Sequence, residues 1–231
     1  MGVKPKESAQ RAAERTDESM NEKFFSLPEE KQQNIINAAM EVFAQNEYKR
    51  ASTELMAVRA GVSKGLLFYY FHNKKELYLF LYDYVVEIMK SQIGNQRMRQ
   101  ITDFYEMLRY CTEEKVRILG RNPYLMEFSM RAFYSVKEEV SDSLKQMNTS
   151  LLQVLYQQYF GHIDTSRFKE TVDPYRVFKM LQWMADGYIH ELQMENKKFD
   201  VDLLAQEFGD WMDMMKKLTY KEEYLDECHR D

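Results

Sequence analysis

Residues 52–71 read Ser-Thr-Glu-Leu-Met-Ala-Val-Arg-Ala-Gly-Val-Ser-Lys-Gly-Leu-Leu-Phe-Tyr-Tyr-Phe, and their order decides the fold. Ser52 is an N-cap type in front of a short helix whose inner face is Met56, Ala57 and Ala60. Gly61 supplies the positive φ of a tight turn, and Val62 plugs the angle between two helices. Ser63 caps a second helix, with Leu67 and Phe71 facing inward. Two short capped helices about a glycine turn make a helix-turn-helix.

The outer edge of this unit carries chemistry suited to double-stranded DNA. Ser52, Thr53, Ser63, Lys64, Tyr69, Tyr70, His72 and Lys74 are hydrogen-bond donors concentrated within 23 residues. The helix starts at 53 and 64 add backbone N–H groups that favour phosphate oxygens. Gly65 has no side chain, so the second helix can approach a groove closely. Residues 49–75 hold six Lys/Arg and one acid, Glu54, a local charge of +5. For His72 a solvated loop position is the plainer reading.

The rest of the chain frames this segment. It has 231 residues, a formal charge of −5, 45% apolar and 30% charged residues, and two cysteines. Such a composition excludes collagen-like, disulfide-framework and disordered chains. Eight glycines and four prolines are too few for a turn-rich β fold. The longest apolar runs, 66–71 and 77–82, fall far short of the roughly 20 residues that span a bilayer. No membrane partner is expected, and isolated Cys111 and Cys228 read as reduced thiols of a cytoplasmic protein. Ser26-Leu27-Pro28-Glu29 reads as a capping box; Asn122-Pro123 and Asp173-Pro174 read as helix starts. Gly61, Gly94, Gly120 and Gly161 read as left-handed helix ends. The spacing therefore predicts an all-α chain of about nine helices, near 28–46, 53–60, 64–70, 74–93, 102–119, 123–134, 137–160, 174–196 and 201–218. A polar arm (1–25), a helix-turn-helix domain (26–73) and a larger helical domain (74–231) follow from that order.

Ala60-Gly61-Val62-Ser63-Lys64-Gly65, followed by Leu67, Tyr69, Phe71, Lys74 and Leu77, resembles the core motif of the TetR/AcrR family of bacterial transcriptional regulators. Residues 28–82 as a whole look like that family's N-terminal domain. Leu66 and Phe68 depart from it, standing where a small polar residue and a Tyr are usual. The resemblance implies that Lys64 and Gly65 face bases, and that Ser52, Thr53, Tyr69, Tyr70 and Lys74 hold phosphates. Ser63 joins them as a donor at the head of the recognition helix, although Ser52 and Ser63 would cap any helix-turn-helix and Tyr70 could instead pack on the first helix.

Residues 76–231 are acidic and rich in Met and aromatic residues. The histidines at 72, 162, 190 and 229 fall at no metal spacing, and no Gly-rich phosphate loop or nucleophilic set stands out. Neither catalysis, a metal nor a cofactor is expected. Phe104, Tyr105, Tyr110, Phe128, Phe133, Tyr156, Trp183 and Met184 are soft, large side chains suited to an apolar cavity or simply to a core. Gly187 and Gly209 inside helices invite close helix approach. With Tyr188, Phe208, Trp211 and Met212 they point to the two-helix dimer face that the resemblance implies, or to packing within the chain. The expectation is a homodimeric repressor on a near-palindromic operator, released by a small apolar or amphipathic ligand. The competing reading is a helical ligand-binding or interaction protein whose helix-turn-helix no longer reads DNA.

Overall fold

A computed structural model describes residues 23–120, 123–134, 139–195, 197 and 199–225. Within them the chain forms α1 (Glu29–Gln45), α2 (Thr53–Ala60), α3 (Lys64–Phe71), α4 (Lys74–Ile93), α5 (Gln96–Gln100), α6 (Phe104–Leu119), α7 (Pro123–Phe133), α8 (Ser141–Phe160), α9 (Pro174–Met194) and α10 (Val201–Thr219). The described residues contain no strand, only an isolated bridge between Phe168 and Tyr220. The all-α expectation holds, with nine long helices and the five-residue α5 in addition. The arm to residue 22, Asn122, and Cys228 with His229 lie outside the described residues.

Local chemistry explains most helix ends. The Asn73 side-chain oxygen accepts from the Glu76 N–H, capping α4, and its amide group donates to the Glu76 carboxylate. Asp173 and Asp200 cap α9 and α10. Three expectations fail. Ser26 does not cap α1: its hydroxyl donates to the Lys23 carbonyl, and Pro28 holds the N-cap position without a side-chain bond. Gly94 closes α4 with φ −74°, a conformation open to any residue. Gly161 is needed for space instead, since a Cβ there would collide with the Gln157 carbonyl.

The chain divides into two compact units, one of the described residues up to Asn95 with Arg117–Gln153, the other of Gln96–Val116 with Val154 onward. The first unit thus takes in α4, where the sequence reading sets a boundary before Lys74. Its core is aromatic. The Phe43 ring lies 4.7 Å from Tyr78, which lies 4.9 Å from Phe128. A second cluster joins Phe24, Phe71 and Phe80, with centroids 4.9 to 5.5 Å apart. Tyr82 donates to Asn148 in the same interior, and burial pushes its hydroxyl pKa upward.

The second unit is organised by one buried carboxylate. Asp103 accepts from the Tyr105 and Glu106 N–H groups, capping α6. Its other oxygen takes the Tyr220 hydroxyl at 3.0 Å and the Arg167 guanidinium at 3.2 Å. Phe104, Tyr105, Phe168 and Tyr220 pack around it. Burial pushes the Tyr105 hydroxyl up to about 12, so it stays a hydrogen-bonding phenol beside Thr219. Removing Asp103 takes a carboxylate acceptor from the Arg167 guanidinium and from the buried Tyr220 hydroxyl together. Asp103→Ala should lower stability by about 3 kcal/mol in urea unfolding, and an unchanged midpoint would show that this carboxylate is dispensable.

Candidate nucleic-acid interface

The helix-turn-helix forms as its residues dictate. The Ser52 hydroxyl accepts from Leu55 N–H at 3.3 Å, and the Ser63 hydroxyl accepts from Leu66 N–H at 3.1 Å. Gly61 sits at φ 67°, with its N–H directed to the carbonyls of Ala57 and Val58. Met56, Ala57, Leu67 and Phe71 are buried beneath this turn. Ser52, Ser63, Lys64, Gly65, Leu66 and Tyr69 are left exposed on the outer side, and Thr53 is half-buried. A Cβ on Gly65 would meet nothing nearer than Ser63 Oγ at 4.0 Å. Its own chain therefore makes no demand for glycine there, which is consistent with an approach from outside.

Four cations of the basic segment already have partners. Lys64 Nζ lies 2.6 Å from Glu54 Oε1, and that ammonium holds the Glu54 carboxyl below the usual carboxylate range. Arg59 pairs with Glu41 at 3.1 Å, and Arg50 with Glu47 at 3.7 Å. Lys74 is held most firmly. Its ammonium donates to the carbonyls of Tyr48, Lys49 and Ala51 at 2.7, 3.2 and 3.3 Å, and lies 4.6 Å from the Tyr48 ring centroid. That cage ties the start of α4 to the segment running into Ser52. Tyr70 is buried too, 5.9 Å from Phe24 and 5.7 Å from Tyr69. Of its two readings, packing behind α3 is the one its burial fits. Tyr69 remains half exposed, with Lys23 Nζ 4.4 Å from its ring. The sequence reading missed Glu54, Glu41 and Lys23 as neighbours of this face. Lys64 and Glu54 are ten residues apart across a turn, a spacing that matches no helical pair rule.

The profile described as "Bacterial regulatory proteins, tetR family" matches residues 35–80, which span this unit. The HTH-type transcriptional activator FasR of Mycolicibacterium smegmatis is 31% identical over 143 residues, 57% of this chain and 65% of FasR. The fatty acid metabolism regulator protein of Bacillus subtilis is 25% identical over 182 residues, 74% of this chain and 88% of that protein. The structure of a regulator, FadR, from Bacillus subtilis in complex with stearoyl-CoA superposes with TM-score 0.57 at 20% identity, covering 78% of this chain and 96% of that one. Over residues 35–80 the chain matches the TetR family.

The other expected residues fall in different places. Of the eight expected to line a cavity, Phe128 and Phe133 lie in the first unit and the other six in the second. Phe128 is fully buried against Phe43 and Tyr78, so its role there is core packing. Phe104, Tyr105 and Tyr110 are buried in the second unit, where Tyr156 stacks on Phe160 beside Tyr175 and Phe178. Trp183 is 59% exposed, which corrects its expected interior position. Among the expected dimer residues, Tyr188 and Phe208 both contact the Trp211 ring, at 5.9 and 6.2 Å. Gly187 is exposed, and a Cβ there would meet no atom of its own chain within 4 Å. Met212 is 1% exposed; one residue after Trp211 it is turned about 100° around the helix into its own core.

These placements leave Lys64 exposed at the head of α3 and hold Lys74 on three carbonyls. A lysine that neutralises a phosphate adds about 0.9 to the slope of log affinity against log salt. Lys74→Met should weaken duplex binding with little change in that slope, because its ammonium acts through the Tyr48–Ala51 carbonyls. A slope reduced by about one, measured by anisotropy titration at several salt concentrations, would make Lys74 a phosphate contact instead.

Proposed function

We propose that the protein is a homodimeric, sequence-specific DNA-binding regulator of transcription, acting as a repressor and released from a near-palindromic operator by an amphipathic acyl ligand. The observation that carries this reading is the outer side of α3. Lys64, Gly65, Leu66 and Tyr69 stand exposed there on a helix whose opposite side, Leu67, Tyr70 and Phe71, is buried. Lys64 and Gly65 address base edges; Ser52, Thr53, Ser63 and Tyr69 hold phosphates. Tyr70 and Lys74 set the position of the helices that carry them. Residues 26–73 are the reading head, and residues 74–231 serve ligand binding and dimerisation.

The proposed pairing face is apolar and exposed. On α9, Met180, Trp183, Gly187 and Met194 recur at helical spacing, and on α10 Leu203, Met214 and Leu218 stand out of the chain. Apolar side chains repeated along two neighbouring helices favour burial against a second copy. The effector class rests on the relatives, one named for fatty acid metabolism and one bound to stearoyl-CoA. A ligand that lowers operator affinity 10- to 100-fold must favour the non-binding state by about 1.4–2.7 kcal/mol.

A mobility-shift assay on the DNA upstream of the protein's own gene tests the reading. Wild type should give a discrete retarded band, lost in Lys64→Ala and Tyr69→Ala and weakened at least tenfold by stearoyl-CoA but not by a lipophilic cation. Salt-sensitive smearing alone, unchanged in both variants, would contradict it.

A further inference from the structure

Leu66 is the apolar residue that the recognition helix leaves in water. It is 37% exposed, whereas its neighbour Leu67 is 1% exposed and belongs to the core. Lys64, Gly65 and Leu66 are the first three residues of α3, and the first turn of a recognition helix meets base edges in the major groove. The Leu66 N–H is already bonded to Ser63 Oγ, so this residue offers the groove only its branched hydrocarbon side chain.

The major-groove edges of guanine, adenine and cytosine present nitrogen and oxygen donors and acceptors, while thymine adds a C5-methyl group. Leucine laid on a polar edge strips water from it and returns no hydrogen bond. Laid on a methyl group, it buries apolar surface from both partners. We infer that Leu66 is a specificity-determining residue that reads the C5-methyl of one thymine in each half-site. The inference rests on the DNA-binding reading above and adds a base to it. Next to it, Lys64 presents an ammonium suited to guanine N7 and O6, so the first turn reads one polar and one apolar edge. The departure of residue 66 from a small polar side chain then replaces one kind of readout with another.

The test begins with selection of a duplex by wild-type protein from a random-sequence library. The selected duplex is resynthesised with deoxyuridine in place of each thymine in turn, which removes the methyl and keeps the pairing. Anisotropy titrations with wild type should show one thymine per half-site whose methyl is worth about fourfold in affinity, the value of one buried carbon. With Leu66→Ala the same replacement should have no effect. That variant is expected to fold, because residue 66 is exposed and Ala is the better helix former. Replacements that are silent for wild type at every thymine, or a penalty that persists in Leu66→Ala, would overturn the inference and leave DNA binding intact. A selection that enriches no sequence would overturn the DNA-binding reading and this inference together.

Discussion

Packing of aromatic rings on α4 is the constraint on which the first unit depends. Tyr78 meets Phe43 of α1 on one side and Phe128 of α7 on the other, while Phe80 meets Phe24 and Phe71. Side chains of this size bury about 150–250 Å² each and dominate the energetics of a small core. Because they hold α1 and α3 from behind, the outer side of α3 carries no packing duty and is free to vary for recognition. Lys74 extends the same logic to the backbone. By gathering three carbonyls it ties the start of α4 to the chain that delivers Ser52, the cap of α2.

The charge distribution refines what that edge can do. The chain is −5 overall, yet residues 49–75 carry +5. Folding then brings Glu41 and Glu47, both outside that window, against Arg59 and Arg50. Glu54 occupies Lys64, and exposed pairs of this kind are screened and exchangeable. The basic field is therefore small and partly neutralised, which limits non-specific affinity and leaves more of the discrimination to direct contacts on α3.

The caps and the Gly61 turn were legible in the sequence because they are local: Ser52 and Ser63 act within three residues of themselves. Helix ranges followed from apolar spacing for the same reason. What the sequence concealed depends on distant partners. Lys74 meets carbonyls 23 to 26 residues away, and Asp103 meets Tyr220 across 117 residues. The motif marked Tyr70 and Lys74 as surface donors, but folding turns one ring inward and encloses one ammonium. Trp211 and Met212 show the remaining difficulty, since one residue of helical rotation divides a contact face from a core, and composition does not set that phase. Gly94 and Ser26 failed for a simpler reason: suitable residue types stood at helix ends where the backbone used other partners.

Hydrogen–deuterium exchange of the full chain, with and without a duplex shown by anisotropy to be bound, tests most directly whether α2 and α3 form the DNA-facing edge. Amides of residues 52–75 should exchange more slowly in the complex, with those of Val201–Thr219 unchanged. Bound duplex with unaltered exchange across 52–75 would contradict the assignment of this edge to DNA.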